Sequence, residues 1–163
     1  MCSLSNERHL NSDTHIAYES LSRRQLRSLV FHLLYAAESH QYQESLEAIA
    51  ENMAYGYNIE IPIDSDVFKT AQAIIDHRDE LDKQYVPFLH NWRFERIGLC
   101  TKLILRYAIW ELFHTDTAAN IAINEAVELE KCFSEKDAYK FINGILDEVI
   151  KAKESADTPS STT

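Results

Sequence analysis

The feature that most constrains the fold of this chain is a series of apolar side chains with a helical period. Between residues 26 and 37 they fall at i, i+3, i+4, i+7, i+8 and i+11, which forms one continuous stripe on an α-helix. Similar patterns recur further along, and no segment alternates with the period of two that a half-buried strand requires. The sequence therefore predicts an all-α protein, with apolar helical stripes at residues 26–37, 46–53, 67–81, 97–112, 121–129 and 141–149.

Local signals predict where these helices begin and where the chain divides. Ser22 followed by Gln25 fits a capping box, so the first helix should begin there. Ser134 with Asp137 predicts the start of the last helix. Pro87 cannot continue a helix, and it predicts the boundary between two halves that pack as one unit.

The length of 163 residues predicts one domain, with a tail at each end. We expect residues 1–21 to be a flexible extension, residues 22–151 to form the helical domain, and residues 152–163 to be a disordered tail rich in Ser and Thr. Gly144 lies inside the last predicted helix, where glycine costs about 1 kcal/mol relative to alanine. We expect the close approach of another helix to explain this glycine.

The composition narrows the possible functions. The formal net charge of -10 disfavours indiscriminate binding to nucleic acid, because the field of the whole molecule repels phosphate. The three scattered cysteines form no CxxC pair, which argues against a zinc cluster and favours a reducing, cytoplasmic location. No glycine-rich phosphate loop, metal-ligand spacing, nucleophile elbow or membrane-length apolar run is present. We therefore expect a protein without catalytic activity, metal or cofactor, and without a membrane partner.

Three arginines gather where the first helix begins. No acidic residue lies between Glu19 and Glu38 to compensate Arg23, Arg24 and Arg27. Cations at a helix N-terminus face the positive end of the macrodipole, which is an unfavourable placement of roughly 0.3–1 kcal/mol each. A solvated end of an amphipathic helix is one interpretation of this cluster. Binding of a phosphate backbone is the other, and it explains the unfavourable placement.

The ring side chains near these arginines favour RNA as the ligand. At 100° per residue, Arg24 and Arg27 share a helix flank with Phe31 and Tyr35, and Arg23 lies at its border. Guanidinium groups fit phosphate oxygens, and aromatic rings stack on unpaired bases. The alternative is that the two rings merely widen the core stripe.

Three segments resemble the NusB family of bacterial transcription antitermination factors. Residues 105–112 read LRYAIWEL and residues 121–149 read IAINEAVELEKCFSEKDAYKFINGILDEV, which resemble the C-terminal half of that family. Residues 23–35, RRQLRSLVFHLLY, resemble its arginine-rich first helix. The resemblance spans roughly residues 22–151 and is weakest between residues 41 and 93.

This resemblance implies a compact, NusB-like fold of two small packed helical bundles without catalytic activity. It also implies binding of the boxA element in ribosomal RNA leader transcripts, together with NusE, which is a protein of the small ribosomal subunit. The partners would include the RNA polymerase elongation complex with other Nus factors, and the result would be processive transcription of ribosomal RNA. The RNA-binding residues that the resemblance implies are Arg23, Arg24, Arg27, Asp137, Lys140 and Phe141, and the surface for NusE would include Thr101 and Lys102.

Two other functions are compatible with the sequence. One is a non-catalytic helical module for protein interaction that has lost RNA binding, which the acidic net charge favours. The other is an RNA-binding partner related to the NusB-like domain of ribosomal RNA cytosine methyltransferases. In that case catalysis would belong to a separate polypeptide, since this chain has no glycine-rich segment for a methyl donor.

Overall fold

The computed structural model describes residues 15–158, and this part of the chain is all-α, as predicted. Its only pairing of the β type is an isolated parallel bridge between Ile16 and Ile59. No helix in the described range is both long and apolar enough to cross a membrane. The helices are α1 (Arg23–Ser39), α2 (Leu46–Tyr57), α3 (Asp66–Asp76), α4 (Arg78–Tyr85), α5 (Leu99–His114), α6 (Ala119–Phe133) and α7 (Ala138–Asp157), with short 3-10 helices at Tyr18–Ser20, Val86–Phe88 and Phe94–Arg96.

The chain divides into two compact units, the first ending at His77 and the second beginning at Arg78. In the first unit α1 packs against α2 and α3. Its core consists of apolar side chains from all three helices, because each helix turns one stripe inward. The most deeply buried include Leu29, Leu33, Leu34, Ala71 and Ile74.

The predicted capping box at the start of α1 is confirmed. The Ser22 hydroxyl accepts a hydrogen bond from the backbone N–H of Gln25 at 3.2 Å. The side-chain oxygen of Gln25 accepts one from the backbone N–H of Ser22 at 2.9 Å. Two of the N–H groups that a helix start leaves without partners are thereby satisfied, which fixes the first turn that carries the arginines.

In the second unit α5 is the central helix and packs against α4, α6 and α7. The buried cation of α5, Arg106, pairs with Asp82 of α4. The Nε and Nη2 atoms of Arg106 donate to the two carboxylate oxygens of Asp82, each at 2.8 Å. The Tyr85 hydroxyl donates to Asp82 Oδ1 at 2.8 Å. Burial, together with the Asp82 charge, raises the pKa of Tyr85, so its phenol stays protonated.

The predicted third helix and the predicted boundary at Pro87 were wrong. The helix divides in two, since α3 ends at Asp76 and Leu81 belongs to α4 in the second unit. Pro87 lies in the 3-10 helix that follows α4, inside the second unit. Its effect is local, because a residue without a backbone N–H ends α4 but does not separate bundles.

The predicted structural role of Gly144 was also wrong. A Cβ built on this residue would meet nothing within 4 Å, so no other helix approaches it within the described structure. The start of α7 was placed correctly at Asp137, but Ser134 caps the C-terminal end of α6 instead.

The structure describes part of each predicted tail. Helix α7 continues to Asp157, so residues 152–157 are helical, and residues 159–163 lie outside the described range. At the other end residues 1–14 lie outside it as well, while Ile16 pairs with the buried Ile59 and residues 18–20 form a 3-10 helix.

Candidate nucleic-acid interface

The first turn of α1 presents a group of arginines, here called the arginine patch (Arg23, Arg24 and Arg27). Arg23 and Arg24 are exposed, and Arg27 is half-buried. The first turn of α1 contains no acidic residue. Each guanidinium stays charged at any physiological pH and offers a planar fork of donors, which matches the geometry of phosphate oxygens. This turn is therefore chemically suited to an anionic ligand.

The aromatic flank predicted beside these arginines is only partly present at the surface. Phe31 is 3% exposed and belongs to the core, so it merely widens the core stripe. Tyr35 is 45% exposed, and its ring centroid lies 6.3 Å from that of Phe31. His32 contacts the exposed Tyr57 edge to face, with 5.8 Å between the ring centroids. Of the two rings predicted beside the arginines, only Tyr35 therefore lies at the surface.

The start of α7 carries the second group of predicted residues, here called the α7 patch (Asp137, Lys140 and Phe141). Asp137 has a positive φ of 72° and makes no side-chain capping bond. The Lys140 ammonium lies 3.3 Å from Asp137 Oδ1, and both side chains are largely exposed. An exposed pair of this kind is worth at most about 1 kcal/mol, so Lys140 can exchange Asp137 for a phosphate at low cost.

Phe141 contacts a second aromatic ring, that of Trp92, which the sequence analysis does not predict. The ring of Trp92 lies against it, with 5.0 Å between centroids and 58° between the ring planes. Trp92 is 59% exposed although it is one of the largest apolar side chains. It lies in a short segment without helical or strand periodicity, which is why sequence patterns did not single it out.

The arginine patch lies in the first unit and the α7 patch in the second. Within the α7 patch the structure brings Lys140 to Asp137, and Phe141 to Trp92. Each patch is complete within its own unit, so each can be tested separately.

The two residues predicted to contact a partner protein differ in accessibility. Thr101 is 7% exposed, and its hydroxyl donates to Glu130 Oε1 at 2.5 Å. Lys102 is half-buried, with its ammonium 4.2 Å from the centroid of the Phe94 ring. Thr101 therefore belongs to the interior of the unit, whereas Lys102 is partly accessible.

The interior around Thr101 contains two further titratable groups. Burial raises the pKa of Glu130, although the hydrogen bond from Thr101 opposes that shift. Burial and the charge of Glu130 raise the pKa of the Cys100 thiol. A thiol with a raised pKa is a poor nucleophile. Between residues 15 and 158 no group of three or more His, Cys, Asp or Glu side chains is arranged to hold a metal ion.

The family model described as the NusB family matches residues 24–151. The chain belongs to the NusB family. The transcription antitermination protein NusB of Macrococcus caseolyticus is 36% identical over 135 residues, covering 82% of this chain and 99% of that protein. The NusB of Helicobacter hepaticus is 36% identical over 132 residues, covering 80% of this chain and 83% of that protein. The chain is thus a transcription antitermination factor and not an enzyme.

Solved structures of NusB proteins have the same fold. T. maritima NusB superposes with a TM-score of 0.69 at 27% identity, covering 85% of this chain and 99% of that one. NusB from Aquifex aeolicus has a TM-score of 0.63 at 21% identity, covering 86% of this chain and 95% of that one. The predicted all-α, NusB-like fold is confirmed. The match to the NusB family model includes all predicted site residues except Arg23, which lies one position before it.

Proposed function

We propose that this NusB-family protein binds the boxA element of ribosomal RNA leader transcripts, acting with NusE in the RNA polymerase elongation complex with other Nus factors. Its action there would promote processive transcription of ribosomal RNA in the cytoplasm. The observation that carries the proposal is the arginine patch, a set of cations in a helix turn without an acidic residue. Such a turn favours a phosphate backbone over any neutral ligand.

The net charge explains why a second protein is needed. Three phosphate contacts on a single strand give a slope of log K against log salt of only about -2, which corresponds to weak binding. The formal charge of -10 weakens the approach of RNA further. A basic partner such as NusE would supply the missing positive charge. We assign Lys102 to the surface for that partner, since Lys102 is only half-buried whereas Thr101 is buried.

The α7 patch would add contacts of a different kind. Lys140 supplies one cation, and its side chain is 67% exposed. Phe141 supplies a ring that can stack on an unpaired base, and this interaction tolerates any base. Asp137 would act indirectly by positioning the Lys140 ammonium.

The direct test replaces Arg24 and Arg27 together by alanine. We expect loss of boxA binding in a gel-shift titration with NusE present, and a melting temperature close to that of the wild type. The matched control is Lys69→Ala with Lys83→Ala, because these exposed lysines lie outside both patches and their removal changes the net charge equally. If the arginine variant binds boxA with wild-type affinity, the proposed RNA surface is wrong.

The net charge of -10 favours one alternative, a helical module for protein interaction that does not bind RNA. In that case the protein with NusE would show no preference for boxA over a scrambled RNA of the same length. The same titration, run on both RNAs at two salt concentrations, separates the two functions.

A further inference from the structure

Two features of the second unit are unfavourable for the stability of the protein alone. Trp92 keeps 59% of its surface exposed, although burying an indole is strongly favourable. Gly144 lies within α7 with nothing within 4 Å of a Cβ built on it, although alanine is the better helix residue at an open position. Neither a close neighbour nor a positive φ accounts for the glycine.

The two features lie on one face of α7. Gly144 and Glu148 follow Phe141 by three and seven positions, so the three residues lie along the same side of the helix. Trp92 covers the Phe141 end of this face through its ring contact. At the other end the His90 imidazole lies 2.9 Å from Glu148 Oε2. The segment that carries His90 and Trp92 is therefore attached to α7 at two points, with the bare glycine between them.

We propose that Trp92 and Phe141 together form a stacking surface for an unpaired base of the RNA, and that Gly144 leaves room for the ribose-phosphate backbone beside it. This inference rests on the proposed function and adds two residues to it. A tilted pair of rings with one ring exposed offers a base a π-face that is already held in place, so little side-chain freedom is lost on binding.

The charges around this face fit a nucleic acid better than an apolar protein segment. Lys140 precedes Phe141 and has a largely exposed ammonium, and the exposed Arg93 follows Trp92. Cations beside an exposed ring are the usual composition of a surface for single-stranded RNA. The acidic residue on this face, Glu148, is hydrogen-bonded to the His90 imidazole.

The test measures the affinity of labelled boxA RNA, with NusE present, for single variants of the full chain. Trp92→Ala should weaken binding by about tenfold, which is the loss expected for one stacked base. Trp92→Phe should retain most of the affinity, because it keeps a ring at that position. Tyr55→Ala is the control, since Tyr55 is a 90% exposed ring in the other unit, outside both patches.

The variant Gly144→Ala tests whether Gly144 leaves room for the RNA backbone or has no role in binding. The melting temperature should rise by roughly 2–4 °C, because alanine stabilises a helix by about 1 kcal/mol relative to glycine and a chain of this size converts that gain into a few degrees. The affinity for boxA should fall several-fold, because the new methyl group occupies the space kept for the backbone. A rise in melting temperature with unchanged affinity would overturn the role of Gly144.

The outcomes distinguish this inference from the function on which it rests. If Arg24→Ala with Arg27→Ala abolishes binding but Trp92→Ala binds as tightly as the wild type, the stacking surface is refuted and the proposed function stands. If the wild type shows no binding to boxA, both fail. If Trp92→Ala weakens the binding of NusE measured without RNA, the face belongs to a protein contact and the inference is overturned.

Discussion

The first turns of α1 and α7 both carry candidate RNA contacts, but they are built in opposite ways. Helix α1 begins with a complete capping box at Ser22 and Gln25, followed by arginines and no acidic residue. Helix α7 begins at Asp137, whose backbone is left-handed and whose side chain makes no capping bond but pairs with Lys140. The first turn of α1 is a capped helix start that carries arginines, whereas the start of α7 combines a paired cation with the exposed ring of Trp92 and the half-buried ring of Phe141.

This difference predicts two kinds of contribution to RNA binding. Contacts from the arginine patch release counterions, so their contribution falls as salt rises. Stacking on Trp92 and Phe141 involves no net charge and should depend little on salt. The two units also differ inside, because every buried charged side chain of the described residues lies in the second unit, at Asp82, Arg106, Glu111 and Glu130.

The largest expected effect tests the buried ion pair that supports the second unit. Asp82→Ala should lower the free energy of unfolding by about 3–5 kcal/mol, because it leaves the Arg106 guanidinium buried without its partner. Chemical denaturation measures this loss. Glu80→Ala, an exposed position on the same helix, should change the free energy by less than about 0.5 kcal/mol. Equal effects of the two substitutions would contradict a structural role for the pair.

A smaller effect concerns Glu130, which is fully buried beside Thr101. Above the folded-state pKa of Glu130, Glu130→Gln should raise the free energy of unfolding by about 1 kcal/mol, because it removes a buried charge and keeps an acceptor for the Thr101 hydroxyl. Glu135→Gln makes the same change of charge at an exposed position and serves as the control. A loss of stability in Glu130→Gln would show that the carboxylate is favourable where it lies.

The pH dependence of this effect has a definite sign. Burial raises the pKa of Glu130 in the folded state above its unfolded value. Between those two pKa values the folded state binds more protons, so the stability of the wild type falls as pH rises. The advantage of Glu130→Gln should therefore be absent below the unfolded pKa and complete above the folded pKa. Denaturation midpoints across that range measure it.

The smallest effects compare the two helix starts directly. Ser22→Ala should cost about 1 kcal/mol of stability, because it removes the hydroxyl of the capping box. Asp137→Gly should change stability by less than about 0.5 kcal/mol, since Asp137 caps nothing and glycine accepts a positive φ. Thermal unfolding of both variants checks the contrast. If Asp137→Gly cost as much as Ser22→Ala, the two starts would be equivalent after all.

Local features were predictable from the sequence, and contacts between distant residues were not. The capping box needs only Ser22 and Gln25, which are three positions apart and carry a recognisable signal. The partner of Arg106 is 24 positions away, and no local pattern connects the two. The same holds for Trp92 and Phe141, which meet only because a loop is held against α7.

The limits of the sequence predictions have the same origin. Helical geometry alone leaves open whether Phe31 lies on a surface flank or widens the core stripe; the structure buries it, because neighbouring elements decide how wide a core stripe becomes. Gly144 was assigned a close helix neighbour from its cost in a helix, and its surroundings are open. Burial depends on the partner element, which periodicity along one segment does not contain.

The salt dependence of boxA binding tests the central claim most directly. The slope of log K against log salt should be smaller in magnitude by about 1.4 for Arg24→Ala with Arg27→Ala than for the wild type, which corresponds to two lost phosphate contacts on a single strand. Trp92→Ala should bind more weakly with the slope unchanged. A wild-type slope in the double arginine variant would contradict the claim that these guanidinium groups bind the RNA backbone.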